Sequence, residues 1–147
     1  MIKFRWFFRI LPVVWMVAIW IMSSMPSDAI VELPLLSVDR FIKESLHLVE
    51  FAIVYWLFVG AMLTTRKFTP VVSLICALIA GFYGITDEIH QSFVPYRSCT
   101  VIDGVKDWIG VGVSWYVVRG AYFGGRFTKV GNLLRRFQGH FQKNLAE

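Results

Sequence analysis

The chain has 147 residues, of which 56% are hydrophobic and only 17% are charged, and its formal net charge is +5. Soluble domains carry about 25% charged residues, so this composition argues against a soluble domain and points to a membrane. The length fits a single domain. The two cysteines, Cys76 within an apolar run and Cys99 in a connection, argue against a disulfide framework or a zinc cluster.

Uncharged stretches long enough to cross a bilayer decide the fold class. Residues 10–27 and 68–86 carry no formal charge, and each reaches the roughly 17–25 residues that a membrane helix needs. The run at 51–65 reaches that length only with 46–50, and the run at 108–118 needs residues on either side. We therefore predict an all-α polytopic membrane protein, a four-transmembrane-helix bundle whose second and fourth helices carry polar residues at the membrane boundary.

The predicted helices follow these runs in chain order. The first covers residues 4–22 and ends before Pro26, and its length and poor cleavage site favour an uncleaved helix over a signal peptide. The second covers residues 39–63 and the third covers residues 70–91. The fourth begins near Thr100, which has the spacing of a helix N-cap.

Charge orients the predicted bundle. Eleven of the fifteen Lys and Arg lie in the N-terminal segment, the second connection and the C-terminal part, whereas nine of the ten Asp and Glu lie between those stretches. Because Lys and Arg near helix ends favour the cytoplasm, we predict that both termini are cytoplasmic.

Residues 124–147 differ from the preceding membrane domain, which we place at residues 1–123. Apolar residues recur there at steps of three and four with basic residues between them, namely Phe127, Val130, Leu134, Phe137, Phe141 and Leu145. This pattern predicts a basic amphipathic helix that lies on anionic lipid of the inner leaflet. Lipid accounts for the positive charge, so we expect no nucleic-acid partner.

Polar residues gather at the predicted extracytoplasmic helix ends. His47 and Glu50 share a face of the second helix, and Arg97 lies in the loop between the third and fourth helices. Ionisable residues at membrane depth are costly and indicate a functional site. The candidate ligand-binding set is His47, Glu50, Glu88, Gln91, Arg97, Asp103 and Asp107.

The segment at residues 88–103 resembles the signature of the VanZ-like family of small bacterial membrane proteins, roughly E-x-x-Q-x-F-x-P-x-R followed by D and, in the next turns, N and G. The matching residues are Glu88, Gln91, Phe93, Pro95, Arg97, Asp103 and Gly110. His47 matches a family histidine that opens the second helix, and the resemblance spans nearly the whole chain. Asp107 stands where the family more often has Asn. The resemblance implies a multi-pass protein of the bacterial cytoplasmic (inner) membrane and cell envelope.

The family is named for an accessory protein of teicoplanin resistance, so the resemblance implies a link to antibiotic resistance. We expect the chain to bind or modulate a membrane lipid or cell-wall precursor at the extracytoplasmic face, with an effect on glycopeptide susceptibility. Arg97 suits a phosphate or a carboxylate. The sequence has no P-loop, nucleophile elbow or dinucleotide fingerprint, and we predict no cofactor.

Three other interpretations of the same residues stay open. In the first, the chain is a structural or partner-binding membrane protein, in which Arg97 pairs with Glu88 and Asp103 and only ties helix ends together. In the second, the chain is a membrane enzyme on a lipid-linked substrate, in which His47 and a carboxylate act as general acid and base. The third is a mixed nitrogen and oxygen metal site, formed from His47, Glu50, Glu88, His90 and Asp103.

Overall fold

The computed structural model describes the backbone of residues 2–25, 36–95 and 101–143, and the side chains of residues 4–25, 48–95 and 101–142. The helices are α1 (Ile2–Ser23), α2 (Leu36–Leu63), α3 (Pro70–Gln91), α4 (Val101–Val118) and α5 (Thr128–Lys143), with a π-helical turn at Arg119–Phe123 directly after α4. These described segments contain no strand, so the all-α prediction is confirmed.

Helix α3 begins and ends at the residues that the sequence predicts. The Thr69 side chain accepts a hydrogen bond of 3.2 Å from the backbone nitrogen of Val72, and Pro70 occupies the first turn, where its missing N–H costs nothing. Helix α2 begins at Leu36, before the predicted residue 39. The predicted N-cap of α4, Thr100, lies outside the described residues.

Helix α2 lies at the centre of the bundle. It packs against α1, α3 and α4, and α3 also packs against α4. The α2 side chains Phe51, Val54 and Val59 are fully buried and form the middle of the core. Tyr55 is buried as well, and its hydroxyl lies 2.8 Å from the Ser73 hydroxyl of α3, so its polar atom is satisfied within the apolar core.

Two helical segments are long and apolar enough to cross a membrane by length and composition, Phe4–Ser23 and Pro70–Gln91. Helix α2 adds a shorter apolar segment, Leu48–Leu63. Val13 and Val17 of α1 and Phe82 of α3 each expose more than half of their surface. A core helix of a soluble protein would bury such residues, so these exposed apolar faces suit a lipid surrounding.

The two ends of the bundle differ in chemistry. We call one the acidic end, defined by Glu50, Asp87, Glu88, Asp103 and Asp107. The other is the basic end, where α1 begins, α2 turns into α3, and α5 packs. Its exposed or half-buried cations are Arg5, Arg9, Arg66, Lys67, Arg119, Arg126, Lys129, Arg135 and Arg136.

Arginines at the basic end donate to neutral acceptors. Arg5 Nη2 donates to the carbonyl oxygens of Thr64 and Phe141, at 3.2 and 3.3 Å, and Arg9 Nε donates to Thr64 Oγ1 at 3.2 Å. Thr64 follows the last residue of α2, and Phe141 lies in the last turn of α5. A guanidinium therefore satisfies carbonyl groups at two helix C-termini, where positive charge is favoured.

The amphipathic helix α5 packs its apolar face against the protein. Leu134 and Phe141 are buried, and the Phe137 ring lies 5.0 Å from the ring of Phe8 in α1. A Cβ at Gly131 would overlap the carbonyl oxygen of Ala121, so α5 approaches the π-helical turn backbone to backbone. The face that the sequence assigned to lipid is thus largely covered by the bundle. Leu145, which belongs to the same pattern, lies outside the described residues.

Candidate polar site

Three helices bring carboxyl groups to the acidic end. Glu50 lies near the start of the apolar part of α2 and is half-buried. Asp87 and Glu88, in the last two turns of α3, are both buried. Asp103 and Asp107 lie one turn apart on α4, and Asp107 is fully buried.

Small residues allow the close helix approach that builds this end. A Cβ at Gly84 of α3 would lie 3.1 Å from Asp107 Oδ2, and one at Gly81 would lie 2.8 Å from the Trp108 ring. A Cβ at Gly110 of α4 would overlap the backbone carbonyl oxygen of Leu48 in α2. Glycine at these positions lets α4 press its Asp107 side chain between α2 and α3.

Carboxyl groups dominate the electrostatics of the site. The Asp107 carboxyl group interacts electrostatically with those of four other residues, namely Asp87, Glu88, Glu50 and Asp103. Lys106 Nζ forms a salt bridge of 3.2 Å with Asp103 Oδ1, one turn away on the same helix. The described part of the site thus gathers five carboxyl groups and one ammonium group.

A hydrogen-bonded network connects α3 to α1 beside these carboxyl groups. Gln91 Nε2 donates to Asp87 Oδ2 at 2.6 Å and reaches Ser23 Oγ, in α1, at 3.5 Å. All three side chains are buried. Asp87 Oδ1 has no hydrogen-bond partner in the described part of the chain.

A model of the VanZ/LLP1 family matches residues 7–123. The chain belongs to the VanZ/LLP1 family. A comparison with curated proteins gave no match, and a comparison with solved structures gave none either. Membership in the VanZ/LLP1 family, together with the two apolar helices long enough to span a bilayer, indicates a membrane protein. The resemblance to VanZ-like proteins predicted from the sequence is therefore confirmed.

The structure brings together most of the predicted site residues that it describes. Glu50, Glu88, Asp103 and Asp107 form one electrostatic cluster, and Gln91 joins it through its hydrogen bond to an Asp87 carboxyl oxygen. Two predicted site residues, His47 and Arg97, cannot be placed in the same way. The side chain of His47 and the whole of Arg97 lie outside the described residues.

Sequence reasoning did not include Asp87 or Ser23 in the site. The four-residue step between Asp87 and Gln91 was a usable signal for Asp87, because it places the two side chains one helical turn apart. No signal in the sequence could identify Ser23. It belongs to α1, and only the packing of α1 against α3 brings it to Gln91.

His90 does not point at the carboxyl cluster. Its Nε2 lies 2.9 Å from Ser24 Oγ, and its ring stacks on Trp20 with 3.9 Å between centroids, so it joins α3 to the end of α1. Within the described residues, no three His, Cys, Asp or Glu side chains are arranged to hold a metal ion. The metal interpretation therefore receives no support from this part of the chain.

Proposed function

We propose that this VanZ-like chain crosses the bacterial cytoplasmic membrane four times, with both termini in the cytoplasm and the acidic end on the extracytoplasmic side. The two apolar helices α1 and α3 support two of the spans, and α2 and α4 would supply the others. The cations at the basic end support the orientation, since Lys and Arg near helix ends favour the cytoplasm.

The orientation is tested by cysteine labelling in cells. With both native cysteines replaced by serine, Arg97→Cys should react with a membrane-impermeant maleimide from outside intact spheroplasts, and Lys67→Cys should react only after lysis. Labelling of position 97 from the cytoplasmic side alone would reverse the proposed orientation.

The function that we propose is the binding or modulation of a membrane lipid or cell-wall precursor at the acidic end, with an effect on glycopeptide susceptibility. The supporting observation is the convergence of five carboxyl groups and Gln91 from three helices at the end of an otherwise apolar bundle. Burying carboxyl groups among apolar helices is costly, and such residues are usually kept for function.

The site suits a headgroup that donates hydrogen bonds or carries positive charge. Asp87 Oδ1 offers an acceptor that has no partner among the described residues, and carboxylates bind hydroxyl and ammonium donors through strong charge-assisted bonds. Arg97 would add a planar cation suited to a phosphate. A lipid-linked sugar phosphate and a phospholipid headgroup both present these groups.

Complementation of a deletion strain tests the site. We expect Glu88→Gln and Arg97→Ala to reach wild-type protein levels and to fail to restore wild-type teicoplanin susceptibility. Thr86→Ala is the matched control, because Thr86 is exposed on the same helix and its hydroxyl donates to the Phe82 carbonyl oxygen of α3. Full complementation by both site variants would reject the ligand site.

A second assay distinguishes binding from catalysis. Purified protein is incubated with total membrane lipid, with and without divalent cations, and the lipid is analysed by mass spectrometry. The binding proposal predicts an enriched but chemically unchanged lipid. A new lipid species that depends on Glu88 would instead show that the chain is an enzyme.

A further inference from the structure

Helix α5 presents a second face, which points away from the bundle. Lys129, Leu133 and Arg136 follow one another at steps of four and three, so they share one side of the helix. All three are exposed, and Leu133 exposes 68% of its surface, whereas the adjacent Leu134 exposes 8%. The apolar side chain of Leu133 is thus exposed between the two cations Lys129 and Arg136.

Two further cations lie close to α5. Arg66 and Lys67 are exposed in the turn between α2 and α3. That turn is held near α5 because the Arg5 guanidinium bonds the carbonyl oxygens of both Thr64 and Phe141. The four cations therefore occupy the same end of the molecule.

No negative side chain among the described residues balances these cations. Every Asp and Glu whose side chain the structure describes belongs to the acidic end, at the far ends of α3 and α4 and in the apolar part of α2. Helix α3 alone separates the two ends by about 33 Å, since it has 22 residues at 1.5 Å each. Screening makes interaction over that distance negligible at physiological salt.

We propose that the outward face of α5, together with the Arg66–Lys67 turn, binds the headgroups of anionic phospholipids, and that Leu133 inserts at the boundary of the acyl chains. Charge complementarity favours anionic phospholipid as the ligand, because a juxtamembrane group of Lys and Arg attracts an anionic lipid surface. Packing of Leu134 and Phe141 onto the bundle holds the cations in place before lipid binds, which lowers the entropy cost of binding.

This binding mode differs from that of a free amphipathic helix. A free helix would bury Phe137 and Phe141 in lipid, but here those rings pack against Phe8 of α1. The cations on the outward face then supply most of the attraction, so binding must weaken as salt rises. This surface goes beyond the function proposed for the acidic end, and either proposal can fail without the other.

Native mass spectrometry of the purified full chain tests the proposal. The probes are dioleoylphosphatidylglycerol and dioleoylphosphatidylcholine in mixed detergent micelles, at low and high salt. We expect the Lys129→Gln, Arg136→Gln double variant to bind phosphatidylglycerol on the order of tenfold more weakly, with phosphatidylcholine binding unchanged. The charge-conserving Lys129→Arg, Arg136→Lys variant should bind as the wild type does. Equal binding of phosphatidylglycerol by the neutralised and wild-type proteins would overturn the proposal.

A second pair of variants tests the part played by Leu133. Leu133→Gln should bind phosphatidylglycerol a few fold more weakly at an unchanged melting temperature, and Asn132→Gln, at the neighbouring exposed position, should bind normally. A loss of phosphatidylglycerol binding in Glu88→Gln, with binding by the Lys129→Gln, Arg136→Gln variant unchanged, would assign that lipid to the acidic end instead. Unchanged binding by Leu133→Gln would contradict acyl-chain contact.

Discussion

The acidic and basic ends handle charge in opposite ways. At the basic end, Arg5 donates to a carbonyl oxygen that a helix C-terminus leaves without a partner, and Arg9 donates to a threonine hydroxyl oxygen. These cations therefore stabilise helix ends. At the acidic end, the carboxyl groups of Asp87, Glu88 and Asp107 are buried between helices and interact electrostatically with one another. Several acidic side chains are thus brought together there.

The charged groups at the two ends differ in their roles: those that cap helices at the basic end stabilise the fold, and those at the acidic end are proposed to bind a ligand. Capping of helix C-termini by cations and packing of aromatic rings both favour the folded state, so stability accounts for Arg5, Arg9 and the rings around Phe8. Burial of several carboxyl groups in one place costs free energy, and a fold retains such groups when they serve a ligand or a conformational choice. The comparison predicts that packing changes at either end unfold the protein, whereas charge changes at the acidic end affect activity first.

The largest effect is expected at the glycine that joins α4 to α2. Gly110→Ala would place a Cβ within the Leu48 carbonyl oxygen, and a backbone atom cannot move aside as a flexible side chain can. We expect a loss of about 3 kcal/mol of unfolding free energy, or no folded protein at all. Purification yield and thermal unfolding in detergent measure the effect.

Gly112 is the matched control, because a Cβ there would meet nothing within 4 Å. Gly112→Ala should leave stability unchanged or raise it by about 0.5 kcal/mol through helix propensity. If both alanine variants melted alike, the close contact between α2 and α4 would be wrong.

The next largest effect tests whether α5 is part of the folded bundle. Leu134→Ala removes a side chain that is 8% exposed, and it should cost about 2 kcal/mol. Leu133→Ala makes the same chemical change at the adjacent exposed position and should cost less than about 0.5 kcal/mol. Thermal unfolding of the two variants gives the difference. Equal melting temperatures would mean that α5 is not docked in solution.

The smallest effect tests whether the hydrogen bond between Asp87 and Gln91 at the acidic end stabilises the fold. Asp87→Ala leaves the Gln91 amide without its acceptor and should cost about 1 kcal/mol. It also removes a buried carboxyl group and its desolvation cost, which offsets part of that loss. The Asp87→Ala, Gln91→Leu double variant should therefore melt at or above the wild-type temperature. A double variant less stable than either single variant would show that these residues serve folding alone.

The sequence predicts helix α3 well, because Pro70 suits the first turn of a helix and an apolar run follows it. Thr69 caps the helix and Pro70 occupies its first turn. The helix then continues without a break to Gln91. Helix α5 shows the limit of such signals. Periodicity shows that Leu134 and Phe141 share a face, but lipid and protein are equally apolar, so the pattern cannot tell which of them covers that face.

Neighbouring acidic residues illustrate why the site could be predicted only in part. Glu88 was assigned to the site through its family motif, and a Cβ at Gly104 of α4 would lie 4.0 Å from its side chain. Asp87 points into a network that ends on Ser23 of α1. Both flanks of α3 are covered by other helices, so two adjacent positions are buried. The apolar periodicity of a single helix predicts one buried face. It does not reveal a second face that another helix covers.

The Arg5 side chain has a consequence for the order in which the protein is completed. Its two carbonyl acceptors belong to Thr64 and Phe141, and the second lies 136 residues along the chain. Helix α1 is synthesised before the other described helices, and α5 is synthesised after them. The start of α1 therefore cannot complete these contacts until α5 has been synthesised. A chain that ended after α4 would leave Arg5 with one of its two carbonyl acceptors and Phe8 without the Phe137 and Phe141 rings of α5.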